Sequence, residues 1–265
     1  MNPLALILRT RRSVVLLTLA CGLLAQTASA EDLFLADGRT FPGQLWLSEG
    51  GTTERSIHRR QPEANPAFPS AVMQLGQVAV GPDGKVYFAS GLDGSMMQLL
   101  DGRHEIQVFE FNGQIRDVAC TDEEHTVYFS VVPTPVDGQT LADGKIYRRD
   151  LWNGQPSEVA TVRQSEVGGN WWGAFTIKEG LVYIATFEER SRLFKLTTNG
   201  PESIFSGNTS TIRGIASGPD GSFYFTAGTD TIYRTTDFER LEIALRGNRP
   251  FTDVALRATA DATAP

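Results

Sequence analysis

The chain has 265 residues, of which 41% are hydrophobic, with two cysteines and a formal charge of −7. An acidic balance of this kind disfavours nucleic acid and anionic membrane surfaces as partners, and two cysteines exclude a disulfide-built scaffold. The length suits one large all-β domain or two small ones, either with a substantial core.

Residues 1–30 open with Arg9, Arg11 and Arg12, run through an apolar stretch over 14–24 and reach Ala28-Ser29-Ala30, the pattern of a cleaved signal peptide. Cleavage after Ala30 predicts a periplasmic or extracellular protein. Because the removed segment holds three arginines and no acid, the remainder would carry a charge of −10. The apolar stretch is too short to span a bilayer and no later one is better suited, so no stable membrane insertion is expected. Cys120 is then the one remaining cysteine, and its apolar strand predicts an inert buried thiol.

Asp32-Leu33-Phe34-Leu35-Ala36-Asp37-Gly38 reads as the second strand of a repeat, 44–47 as the third and 53–59 as the fourth, with no first strand before them. A full unit follows: Val78-Ala79-Val80, the turn Gly81-Pro82-Asp83-Gly84, the strand Val86-Tyr87-Phe88, then strands at 97–100 and 106–109. The unit recurs from Val118-Ala119, from Ala174-Phe175 and from Ile215-Ala216, the last with a second Gly-Pro-Asp-Gly turn at 218–221. Residues 251–256 have the form of a first strand, followed only by a tail over 257–265 that is expected to be disordered. The repeat tyrosines stand at 87, 128, 183 and 224, steps of 41, 55 and 41 residues that suit one four-stranded blade each.

The expected fold is therefore all-β: a single β-propeller over 31–256, closed by the C-terminal strand joining the N-terminal blade. Five blades are expected, or six if 61–75 or 130–145 hides another sheet. The inner strands are apolar on both faces, as a sheet held between two neighbours requires, and the outer ones mix polar with apolar residues. Ala79, Ala119, Ala216 and Ala255 predict crowding at the axis, with Ala174-Phe175 in reversed size order.

In such a ring the starts of the first strands share one face with the connections between blades. The long segments 61–75, 132–144 and 163–170 all fall on that face, which predicts a binding surface there. At the strand mouths stand Gln77, Arg116, Asp117 and Asn170 with Trp171 and Trp172, then Arg213, Thr252 and Asp253. Guanidiniums suit carboxylate, phosphate or hydroxyl groups, and paired indoles suit a flat ligand. The purely structural alternative pairs Arg116 with Asp253 and Arg213 with Asp117, and packs one Trp between blades.

Other candidates are weaker. Asp122-Glu123-Glu124-His125 replaces a Gly-Pro-Asp-Gly turn and reads as a solvated turn. His58, His104 and His125 are expected in a peripheral strand, an outer turn and that same turn, with no nucleophile elbow near them. The Gly-Pro-Asp-Gly turns have too few alternating carboxylates for a calcium loop, and Asn208-Thr209-Ser210 is a formal sequon in an ordinary loop.

The small-apolar strand, Gly-Pro-Asp-Gly turn and apolar-Tyr-Phe strand over roughly 71–256 resemble the blades of NHL-repeat, gluconolactonase (regucalcin-like) and streptogramin-lyase propellers. The gluconolactonase resemblance implies a divalent cation in the channel, calcium, zinc or manganese, held here by Asp117, Asn170 and Asp253. A second asparagine and an early glutamate of that ligand set are not evident, and no histidine stands where a lyase would need one. The favoured expectation is a monomeric exported scaffold that binds a small molecule or protein on its long-loop face. The alternative is a metal-dependent lactonase-like hydrolase.

Overall fold

The computed structural model describes residues 32–37, 44–49, 53–59, 77–90, 94–100, 104–123, 125–131, 143–152, 154–167, 172–186, 190–206, 211–228, 230–247, 249 and 251–256. The expected signal peptide and C-terminal tail, segment 61–75 and most of 132–144 lie outside these residues.

The described chain forms five four-stranded antiparallel blades. The first holds β1 (Leu33–Asp37), β2 (Gln44–Glu49) and β3 (Thr53–Arg59). The second holds β4 (Val78–Val80), β5 (Val86–Ala89), β6 (Ser95–Leu100) and β7 (His104–Glu110). The third holds β8 (Ile115–Ala119), β9 (Thr126–Val131), β10 (Gly144–Asp150) and β11 (Ser157–Val162). A short helix α1 (Gln164–Val167) leads to β12 (Trp172–Lys178), β13 (Leu181–Thr186), β14 (Arg192–Thr197) and β15 (Gly200–Ser206). The fifth blade is β16 (Ile212–Ser217), β17 (Phe223–Ala227), β18 (Thr231–Thr235) and β19 (Glu242–Arg246). Finally β20 (Asp253–Leu256) pairs antiparallel with β1, Val254 opposite Leu35, and completes the first blade. The expected five blades and the closure between chain ends are both present.

The core lies between blades rather than within them. Each of five apolar clusters takes residues from two neighbouring blades, as where Phe34 and Leu45 meet Val86 and Phe88, or Phe225 and Phe223 meet Ala174 and Leu193. That is why β5 and β17 are buried along their whole length. Val167 of α1 is fully buried in the seam between the third and fourth blades, rooting the start of the 163–170 connection in the core.

The Gly-Pro-Asp-Gly motif has a packing cause. A Cβ on Gly81 would stand 2.9 Å from Asp83 Oδ1 and 3.3 Å from the Tyr87 ring, and one on Gly218 would stand 2.9 Å from Asp220 Oδ1 and 3.2 Å from the Tyr224 ring. The glycine leaves room for the turn carboxylate and the repeat tyrosine together. The closing glycines, Gly84 and Gly221, hold φ of 75° and 81°.

Every outer strand carries a β-bulge at the same place. The register against the third strand shifts so that Ile57, Val108, Val159, Ile204 and Ala244 are each an extra residue, bending the strand. His104 opens β7 rather than lying in an outer turn, His58 lies in β3, and His125 sits in the β8–β9 turn at φ 58°. Axial crowding is also corrected at one blade: Thr176, opposite Tyr183, occupies the level of Ala79, Ala119, Ala216 and Ala255, and Ala174 lies one level above.

Candidate functional site

Five first strands converge at the axis, and register places one residue from each at a common level: Gln77, Asp117, Ala174, Gly214 and Asp253. Asp117 stands opposite Ser130, Ala174 opposite Ala185 and Asp253 opposite Ala36. Bulges in β8 and β16 reach this level. In β8 the extra residue is Arg116, and in β16 Arg213 and Gly214 both donate backbone N–H groups to Thr226 Oγ1, at 3.3 and 2.9 Å. A bulge re-aims side chains, and it puts an arginine beside this level in two blades.

The two aspartates are 1% and 2% exposed. Asp117 Oδ1 accepts the Val118 N–H at 2.7 Å and Oδ2 accepts the Phe175 N–H of the next blade at 2.6 Å. Asp253 repeats the arrangement: Oδ2 accepts the Val78 N–H of the next blade at 2.6 Å, and the Val254 N–H donates to the same carboxyl. Each carboxyl therefore clasps its blade to the following one. Burial raises both groups well above the usual carboxylate range; the charge of Asp117 raises Asp253 further, while the backbone N–H donors oppose the shift.

Gln77 reaches past the first blade. Its Nε2 donates to the Arg213 carbonyl at 2.6 Å, joining the second blade to the fifth past β20. Gly214 lets β16 and β20 meet: a Cβ there would stand 2.0 Å from Asp253 Oδ1 and 2.6 Å from its Cα. Below the mouth, then, one side chain bridges two blades that are not neighbours.

The other expected site residues divide. Thr252 gives its backbone N–H and its hydroxyl to the Ala36 carbonyl, at 2.8 and 3.0 Å, which ties the closing strand to β1. Arg116 is half-buried at the mouth, and burial lowers its pKa from the ordinary guanidinium value. Trp172 opens β12, while Asn170 and Trp171 lie outside the described residues. Gly214 was not among the expected residues, although a glycine inside an apolar strand is the usual sign of a close backbone approach. Among the described residues no group of three or more His, Cys, Asp and Glu is placed to hold a metal ion.

No protein-family model matches the chain, and no curated protein is similar to it in sequence. Among solved structures, a chain of the nidogen/laminin complex superposes with a TM-score of 0.54 at 12% identity, over 84% of this chain and 81% of that one. A gluconolactonase from Xanthomonas campestris superposes with a TM-score of 0.49 at 13% identity, over 84% of this chain and 79% of that one. At these identities the likeness is one of fold. The protein is a five-bladed β-propeller, and its likeness to the propeller chain of the nidogen/laminin complex is one of fold alone.

Proposed function

We propose that this propeller is an exported binding scaffold that holds a protein or small-molecule ligand on its long-loop face, at the mouth ringed by Arg116 and Arg213. The observation that carries the reading is how the polar groups at the channel mouth are used. Gln77 is bonded to the Arg213 carbonyl and both aspartates are taken up by backbone N–H groups, which leaves the arginines as the charged side chains of this level for a ligand resting on the face. Arginine at such a surface suits carboxylate or phosphate groups on the partner. A chain of the same fold occurs in the nidogen/laminin complex, so the architecture is compatible with a protein ligand. The test is capture of exported proteins and acidic small molecules by the purified chain, compared with Arg116→Ala/Arg213→Ala. A tenfold loss of a captured ligand in a variant with unchanged thermal unfolding supports the site, and identical capture overturns it.

The metal-dependent alternative would draw on the same residues. The buried aspartates are the observation in its favour, because strongly perturbed carboxyls concentrate at functional sites. Their donor set nevertheless fits a divalent cation poorly. Four backbone N–H groups already donate to these carboxyls, and burial favours the neutral carboxyl over the anion a cation needs. Metal content of the purified protein by plasma mass spectrometry, before and after dialysis against a chelator, separates the readings. A stoichiometric ion lost in Asp253→Ala would favour the hydrolase and justify assays on sugar lactones.

A further inference from the structure

The opposite face, where the Gly-Pro-Asp-Gly turns lie, holds a bowl of about 510 Å³ on the ring axis, to which every blade contributes. That volume is in the range of small-ligand pockets. Its floor narrows into a throat of about 40 Å³ between the inner strands, walled by Ala79, Ala119, Thr176, Ala216 and Ala255. The throat leads toward the level of the Gln77–Arg213 hydrogen bond.

Polarity changes with depth. Val80, Ile177 and Leu256 line the bowl beside the throat, while Thr121, Asp122 and Glu179 stand around it with Glu123 and Lys178. Glu123 is paired with Arg148 at 2.9 Å. Among the described residues Lys178 is the one lysine or arginine in the lining; its amine donates to the Gly221 carbonyl and lies 4.7 Å from the centre of the Phe223 ring. Asp122 and Glu179 are exposed and leave the rim net negative. An anion is repelled on approach and a cation is drawn in. A solvated ion with no apolar part would gain nothing from the throat.

We propose that this bowl is a second binding site, for a small organic ammonium ion with a short apolar chain, the chain in the alanine-walled throat and the ammonium head beside Asp122 and Glu179. The site is separate from the long-loop face, and neither depends on the other.

Cys120, expected to be buried and inert, is half-buried and lines both bowl and throat; burial raises its pKa well above the ordinary thiol value, so alkylation is slow and its rate, followed at pH 9 where butylammonium is still charged, reports occupancy. The full chain is treated with iodoacetamide in the presence of n-butylammonium chloride, n-butanol or sodium chloride, and labelling is resolved by peptide. Butylammonium is expected to slow alkylation of Cys120 at least fivefold at saturation and butanol less than twofold, with no effect of sodium chloride. Asp122→Asn/Glu179→Gln is expected to raise the butylammonium concentration required about tenfold. Equal protection by butanol and butylammonium, or none by either, overturns the proposal. Amide chemical shifts give a second readout that is independent of thiol reactivity: changes at Gly81 and Gly218 support the site, and changes confined to Gln77 and Thr252 overturn it.

Discussion

Asp253 Oδ2 accepts the Val78 N–H at 2.6 Å across 175 residues of chain, so the strand that closes the ring also fastens the blade after it. Removing the acceptor strands a buried donor, which costs about 1–3 kcal/mol. Asp253→Ala is expected to lose about that much or slightly more, and Asp253→Asn, which keeps a carbonyl oxygen, clearly less. Urea unfolding of the two variants checks the order.

Gly214 and Gly180 separate crowding from backbone conformation. Alanine at 214 would put a Cβ 2.6 Å from the Asp253 Cα, so β16 and β20 must move apart, and a loss of about 3 kcal/mol is expected. Gly180 has φ 74° with nothing within 4 Å of its Cβ position, so Gly180→Ala meets only the left-handed backbone cost of about 1–2 kcal/mol. Similar midpoints for the two variants would contradict the close approach.

Asp220 predicts a pH dependence. Burial disfavours its charge, but hydrogen bonds from Ser222 and the Arg234 guanidinium outweigh burial and lower the carboxyl below its ordinary value. A lowered folded pKa contributes stability above the unfolded value, near 3.9, that is lost as pH falls through the folded one. The pair is partly exposed, so Asp220→Asn is expected to lose only about 0.5–1 kcal/mol at pH 7. The gap between variant and wild type should close toward pH 2, as unfolding curves at the two pH values will show.

The seams, not the outer strands, should carry the stability. Phe129 is fully buried, with ring centres of Phe109, Phe111 and Tyr147 5.1 to 5.4 Å away. Phe129→Ala is expected to cost about 3–5 kcal/mol. Ile243 is 52% exposed on β19, and Ile243→Ser should change stability by no more than about 0.5 kcal/mol. Thermal unfolding of both variants tests the contrast.

Blade number and ring closure were legible because the tyrosine repeat and a first strand displaced to the C-terminus are properties of residue order. The fate of the aspartates was not. Asp117 and Asp253 look the same in sequence whether they face a ligand or receive the N–H groups of Phe175 and Val78, because the difference arises only when two blades meet. Gln77 read as a mouth residue, yet its partner is a carbonyl, which every residue carries. The bulges were hidden for a related reason: Val159 and Ile204 are as apolar as their neighbours, and only cross-strand register marks them as extra. The bowl drew no notice because short turns line it, and length in a connection is the signal that a sequence shows most readily.

Among the described residues, β3, β7, β11, β15 and β19 each have one side unpaired, a wheel of five strand templates pointing outward. A visiting strand, whether from another molecule or a second copy, would have to keep its hydrogen-bond spacing along such an edge. At Ile57, Val108, Val159, Ile204 and Ala244 that spacing breaks. The extra residue in each rim strand thus acts as an insulator against edge-to-edge aggregation, present on every blade that could seed it.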